Sequence, residues 1–141
     1  LVHALGNLDY IPPVRCPEDL GAEDSYEMAG LLRAIASEGK YDFLIVDMGH
    51  FGKDLMPMLE VCSVIYMPVK EDPVSAAKLE EFDGYLEFSG HGELRERIKR
   101  LKLPFHSSLG RKEDYLEQLM WGEMGDYVRN LLRGSKGTLF S

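Results

Sequence analysis

The chain has 141 residues, of which 45% are hydrophobic and 28% charged, and it carries a formal net charge of −8. This composition is typical of one globular domain, and two cysteines are too few for a disulfide framework. No apolar run approaches the roughly 18 residues that a membrane-spanning helix needs, and the start shows no signal-peptide pattern. We therefore expect a cytoplasmic protein.

The first half of the chain alternates between strand and helix patterns. Residues 8–11 are predicted to be a short strand, which Pro12 and Pro13 end. A helical pattern follows, with Ser25 as its expected N-cap and Gly39 as its expected stop. Residues 43–47 form a continuous apolar run that ends on Asp47, which is typical of a parallel strand buried on both faces. A short helix is expected at residues 55–59.

The second half continues this alternation. Residues 63–69 (SVIYMPV) predict a buried strand, and residues 74–88 predict a long helix. A charged helical stretch is expected at residues 93–102, followed by two helices at 112–120 and 124–133. Strands that alternate with helices predict an α/β fold with a partial parallel sheet flanked by helices. We expect residues 1–141 to form a single domain.

Two residues of the stretch YDFLIVDMG are candidates for a functional site. Asp47 ends the second predicted strand, and Gly49 follows it. Ligands of parallel sheets bind beyond the carboxyl ends of the strands, where a carboxylate on a rigid backbone suits Mg²⁺ held through water. A glycine there allows a loop that moves when a phosphate binds or leaves. Glu71 and Asp72 also follow a strand, but capping of the next helix is their expected role.

Several stretches resemble the MinD/ParA group of deviant-Walker P-loop ATPases. YDFLIVDMG is similar to the Walker B and switch segment of that family, and LDYIPPVRCPEDL and CSVIYMPVKEDPVSAAKLEEF are similar to its neighbouring strands and helices. The nearest subgroup is the MinD-like ATPases of pilus assembly. The resemblance implies a Rossmann-like, three-layer P-loop fold, a homodimer when complete, and ATP and Mg²⁺ as cofactors. It makes Asp47 the aspartate that holds Mg²⁺ through water and Gly49 the switch turn.

The sequence departs from that family in three ways. The Lys-Gly-Gly-x-Gly-Lys-Ser/Thr loop that cradles phosphate is absent, and because it lies upstream in the family, the chain is expected to be a C-terminal portion. No counterpart of the family's strand ending in Asn, which helps to read adenine, is evident between Gly90 and Pro104. His50 also stands where a small residue or proline is common. Without the loop, little offsets the charge of a triphosphate, so we expect no cofactor on this chain alone.

Two other functions remain open from the sequence. The same stretch also resembles the phosphoacceptor strand of response-regulator receiver domains, with Asp47 as acceptor and Lys102 near a proline, although that family's acidic pair and Ser/Thr lack counterparts here. A non-catalytic interaction domain of the same fold is the third hypothesis. Residues 1–90 hold 6 basic against 17 acidic residues, which disfavours nucleic acid. The basic residues at 95–102 predict a solvated face. The apolar stripe of residues 125–136 is expected to pack in the core, and a membrane contact through it is expected to be weak at most.

Overall fold

The computed structural model describes residues 2–12, 22–48, 55–104 and 112–135. Helices and strands are mixed along the chain, and the strands of the described ranges form two separate two-stranded sheets. The architecture is therefore mixed α/β, with a smaller sheet than the sequence predicts. The elements follow in the order β1 (Val2–Leu5), β2 (Leu8–Tyr10), α1 (Ala22–Ser37), α2 (Met56–Val61), β3 (Ile65–Pro68), α3 (Pro73–Phe88), a 3₁₀ helix (Gly92–Arg97), β4 (Ile98–Leu101), α4 (Lys112–Trp121) and α5 (Glu123–Ser135).

A β–α–β unit forms the centre of the fold. β3 and β4 pair in parallel, with Ile65 opposite Ile98 and Pro68 opposite Leu101. A parallel pair requires a crossover connection, because the chain must return to the starting end of the sheet, and α3 with the 3₁₀ helix supplies it. The strand and the long helix that the sequence predicts in this region are confirmed.

The hydrophobic core lies where α2, α3, β3 and the 3₁₀ helix meet. Leu86 of α3 and Leu94 of the 3₁₀ helix are its largest fully buried side chains, at 0% and 1% exposure. Met56, Leu59 and Ile65 complete the buried cluster. Burial of apolar surface is the main favourable term in folding, so this cluster fixes α2 against the parallel strands.

The stretch predicted as a charged helix at residues 93–102 is instead a 3₁₀ helix followed by strand β4. The middle residues of β4, Lys99 and Arg100, are exposed, whereas Leu101 is buried. A strand at a sheet edge tolerates charged side chains at its exposed positions. Parallel pairing with β3 has therefore overridden the helical charge pattern that the sequence shows.

The strand predicted at residues 8–11 is present as β2, but it belongs to a different sheet. It pairs antiparallel with β1, and Gly6 takes a φ of +56° in the turn between them. This left-handed conformation favours glycine, because the residue has no Cβ to clash with the backbone. Pro12 lies outside the strand, as its missing N–H group requires.

Helix ends follow local signals at most positions. α1 begins at Ala22, so Ser25 lies inside the helix and the N-cap prediction for it is wrong. Gly39 has a φ of +67° just after the helix, which confirms the predicted stop. α2 carries Pro57 in its first turn, where the missing N–H group costs no helical hydrogen bond. α4 and α5 confirm the two predicted C-terminal helices.

Asp72 is the N-cap of α3. Its Oδ1 accepts a hydrogen bond from the Ser75 amide at 2.9 Å, and its Oδ2 accepts one from the Ser75 hydroxyl at 2.7 Å. These bonds hold the pKa of Asp72 below its ordinary 3.8, because they stabilise the charged carboxylate. The capping role predicted for Asp72 is confirmed.

We expect Asp72→Ala to lower the melting temperature at neutral pH, because the Ser75 amide loses its acceptor. A lowered folded-state pKa adds stability above the unfolded value and loses it as the pH falls through the folded value. The penalty should therefore shrink below about pH 4. Circular dichroism melts at neutral and acid pH measure the effect, with Glu71→Ala as the control. A penalty of the same size at both pH values would contradict a charged cap.

Candidate functional site

Asp47, the predicted Mg²⁺ ligand, ends an irregular segment and not a strand. Residues 43–48 contain neither helix nor strand, so the strand predicted at residues 43–47 is wrong for this structure. The Asp47 side chain is exposed. It forms no hydrogen bond or ion pair with another residue of the described ranges. Gly49 and His50 lie outside the described residues.

Two of the four apolar side chains before Asp47 are exposed, and the other two, Phe43 and Val46, are half-buried. Ile45 is 76% exposed and Leu44 36%, although their pattern is that of a buried strand. The backbone N–H and C=O groups of a strand need partners, and no strand of the described ranges pairs with this segment. Met48, the residue after Asp47, packs against the core cluster. The run is therefore anchored at its end but exposed along its middle.

The start of this segment is held by β2. The Tyr41 hydroxyl donates a hydrogen bond of 2.6 Å to Asp9 Oδ2, and Lys40 Nζ lies 3.7 Å from the same oxygen. The neighbouring Tyr41 side chain is the main cause that raises the pKa of Lys40, and the negative charge of Asp9 acts in the same direction. Contacts at Tyr41 and Met48 thus fix both ends of the segment that carries Asp47.

Polar residues follow both parallel strands at the carboxyl edge of the β3–β4 sheet. The Val69 amide donates to the Leu101 carbonyl at 2.9 Å, so the chains leave the sheet side by side. Just beyond, Lys102 Nζ lies 2.5 Å from Glu71 Oε1, with both side chains exposed. Glu71 therefore pairs with Lys102 and does not cap α3. An exposed ion pair of this kind contributes little to stability and can exchange partners.

A second polar cluster ties the end of α2 to the 3₁₀ helix. Arg97 Nη1 donates to the carbonyl oxygens of Glu60 at 2.9 Å and Cys62 at 3.3 Å. His91 Nδ1 lies 3.0 Å from Glu60 Oε1. The last carbonyl groups of a helix lack partners within it, and Arg97 supplies one. Sequence reasoning missed this cluster, because its members are far apart in the chain and follow no local pattern.

The basic stretch at residues 95–102 is paired with acids of α3. Arg95 Nη1 lies 2.7 Å from Glu87 Oε1, and Arg100 Nη2 lies 2.5 Å from Asp83 Oδ2. These partners offset the positive charge that a nucleic-acid surface requires. The pairs favour the interpretation of this stretch as a solvated face.

Other candidate groups are few in the described part of the chain. Cys62 is a free, half-buried thiol whose Sγ donates to the Met58 carbonyl at 3.3 Å, and burial raises its pKa. Cys16 lies outside the described residues. Within the described ranges, no group of three or more His, Cys, Asp or Glu side chains could hold a metal ion. No helix in those ranges is long and apolar enough to cross a membrane.

Comparison of the chain with protein-family models gives no match, and comparisons with curated proteins and with solved structures give none either. The class that the structure itself defines is an α/β protein with a two-stranded parallel sheet.

Proposed function

We propose that the chain is the Walker B and switch portion of a MinD/ParA-like ATPase, nearest to the MinD-like ATPases of pilus assembly. Such a protein binds ATP in the cytoplasm and positions or assembles cellular structures. The observation that carries the proposal is the partly exposed apolar run ending on exposed Asp47, next to a parallel β–α–β unit.

The run supports this function because it is an unpaired strand sequence. Burial of one large aliphatic side chain is worth about 1.5–3 kcal/mol, so the 76% exposure of Ile45 leaves most of that gain unused. On the proposal, the strand that leads into the phosphate loop pairs with this run. The sheet is then a larger, Rossmann-like one of the P-loop type, and Asp47 lies at its carboxyl edge.

The chemistry expected at Asp47 is that of a single carboxylate near a metal ion. In the complete protein, a bound Mg²⁺ would supply charge neutralisation at the phosphates of ATP. Asp47 would hold a water molecule of that ion, because a carboxylate is a strong acceptor for a polarised water. Its exposed side chain, unpaired within the described ranges, fits this role. The resemblance assigns Gly49, which lies outside the described residues, to the switch turn.

The 141-residue chain alone is expected to bind Mg·ATP weakly or not at all, since it lacks a glycine-rich loop and carries a net charge of −8. Isothermal titration calorimetry with Mg·ATP measures this. Tight binding by the chain alone would show that its nucleotide site is not the one proposed.

The complete reading frame of the gene tests the proposal itself. We expect it to encode a Gly-Lys-Ser/Thr loop before Leu1, and the complete protein to bind Mg·ATP and to dimerise with it. The lack of such a loop would contradict the ATPase function. Treatment with a small acyl phosphate distinguishes the receiver hypothesis from the ATPase hypothesis. Only a receiver domain should form an aspartyl phosphate at Asp47.

A further inference from the structure

The break between α4 and α5 is a single residue. α4 ends at Trp121 and α5 begins at Glu123, so only Gly122 lies outside both helices. Helices commonly stop at a glycine in the left-handed conformation or shortly before a proline. Residues 112–135 contain no proline, and none of them has a positive φ. The break therefore lacks the local signals that usually end a helix.

The bend at this break depends on a close approach that only glycine allows. A Cβ added at Gly125 would overlap the Met120 carbonyl oxygen and lie 2.6 Å from that of Leu119. Real Cβ atoms essentially never approach another heavy atom within 3.0 Å. Gly125 belongs to α5 and the two carbonyl groups belong to α4, so the contact spans the break. An alanine at this position would exclude the bend, although it suits a continuous helix better than glycine does.

One side chain of α5 holds the end of α4 in the bent form. Arg129 Nη1 donates to the Met120 carbonyl at 2.7 Å, and the guanidinium carbon lies 5.6 Å from the centre of the Trp121 ring. Arg129 Nη2 donates to Asp126 Oδ1 at 2.7 Å, which fixes the direction of the side chain. In a continuous helix, the amide of Met124 would donate to the Met120 carbonyl instead. Arg129 therefore replaces a backbone partner that the bend removes.

We infer that residues 112–135 form a two-state elbow, with a bent form closed by Arg129 and a second form in which α4 and α5 join as one continuous helix. Straightening exchanges the Arg129 contacts for backbone hydrogen bonds across Gly122. Gly122 and Gly125 oppose the continuous helix, because glycine is a poor helix former. The elbow does not involve the segment that carries Asp47, so the inference is independent of the proposed ATPase function.

Double electron–electron resonance on the 141-residue chain measures the elbow directly. Spin labels are placed at Glu117 and Gly134, which are both exposed, in a background where Cys16 and Cys62 are replaced by serine. A continuous helix rises 1.5 Å per residue, so it separates these two positions by about 26 Å, whereas a bend brings them closer. We expect the main population of the otherwise unaltered chain to lie at a shorter distance.

Two substitutions should open the elbow. Gly125→Ala should move the main population to about 26 Å, because the bent form no longer fits. Arg129→Ala should raise the ratio of straight to bent molecules about tenfold, because it removes a charged hydrogen bond across the break.

Two matched controls should keep the distances of the unaltered chain. Gly84→Ala adds a Cβ to a helix at a position where nothing lies within 4 Å of it. Arg133→Ala removes the other arginine of α5, which has no hydrogen bond or ion pair within the described ranges.

Circular dichroism checks the helix content of each variant. If Gly125→Ala loses its helix, Arg129→Ala decides alone. A main distance of about 26 Å in the otherwise unaltered chain would overturn the inference, as would distances that neither substitution changes. Broad distances with a loss of helix in both variants would show that α5 unfolds instead of joining α4, and would overturn it too.

Discussion

Leu86→Ala is expected to lower the free energy of unfolding by about 3 kcal/mol. Leu86 is 0% exposed, and it lies in the core cluster with Leu94, Leu59 and Ile65. Its truncation removes apolar contacts and leaves a cavity that a core made of four different elements cannot easily close. A small domain is stable by only about 5–15 kcal/mol, so this single change removes a large part of the total.

Urea unfolding followed by circular dichroism measures this effect. Phe88→Ala is the matched control, because Phe88 lies two residues further along α3 and is 94% exposed. Its substitution should change the free energy of unfolding by less than about 0.5 kcal/mol. If Leu86→Ala fails to fold, Leu86→Met preserves the volume and should cost less than about 1.5 kcal/mol. Equal losses for Leu86→Ala and Phe88→Ala would show that the core lies elsewhere.

The parts of the fold that the sequence predicts correctly are those with local causes. Gly39 ends a helix because a left-handed residue is needed there, and Asp72 caps α3 because its carboxylate reaches an amide three residues later. Pro57 lies in the first turn of α2, where its missing N–H group costs no helical hydrogen bond. The helix spacing in α4 and α5 depends on neighbours three or four positions apart. Such signals are contained in a few consecutive residues.

The parts that the sequence misses depend on distant partners. β4 has the charge pattern of a helix, and it is a strand because β3 offers its edge for parallel pairing. Residues 43–47 have the pattern of a buried strand, and they are irregular because no strand of the described ranges lies beside them. The contact of Arg97 with the end of α2 is equally non-local. Composition and periodicity do not show which distant segments of the chain contact each other in the folded protein.

The candidate functional site also has one part that the sequence predicts and another that depends on distant partners. Sequence reasoning singles out Asp47 from a local motif, and the structure places it exposed at the surface next to a core-anchored Met48. The carboxyl edge of the β3–β4 sheet adds Lys102 and Glu71 as an exposed ion pair. The distance from Asp47 to this edge depends on strand pairing, which is a property of the assembled sheet and not of any one motif.

Asp47→Asn in the complete protein is expected to reduce ATP hydrolysis about 100-fold, provided that the upstream phosphate loop is present. Asparagine keeps the size of the side chain and removes its charge, so on the proposed function a water on Mg²⁺ would lose a strong acceptor. The Mg²⁺ concentration needed for half-maximal hydrolysis should therefore rise, which a merely structural role would not produce. Asp42→Asn is the matched control: Asp42 is an exposed carboxylate five residues earlier, and its loss should leave hydrolysis unchanged. If the Asp47→Asn variant hydrolyses ATP at the full rate and with the Mg²⁺ dependence of the wild type, Asp47 is not part of the nucleotide site.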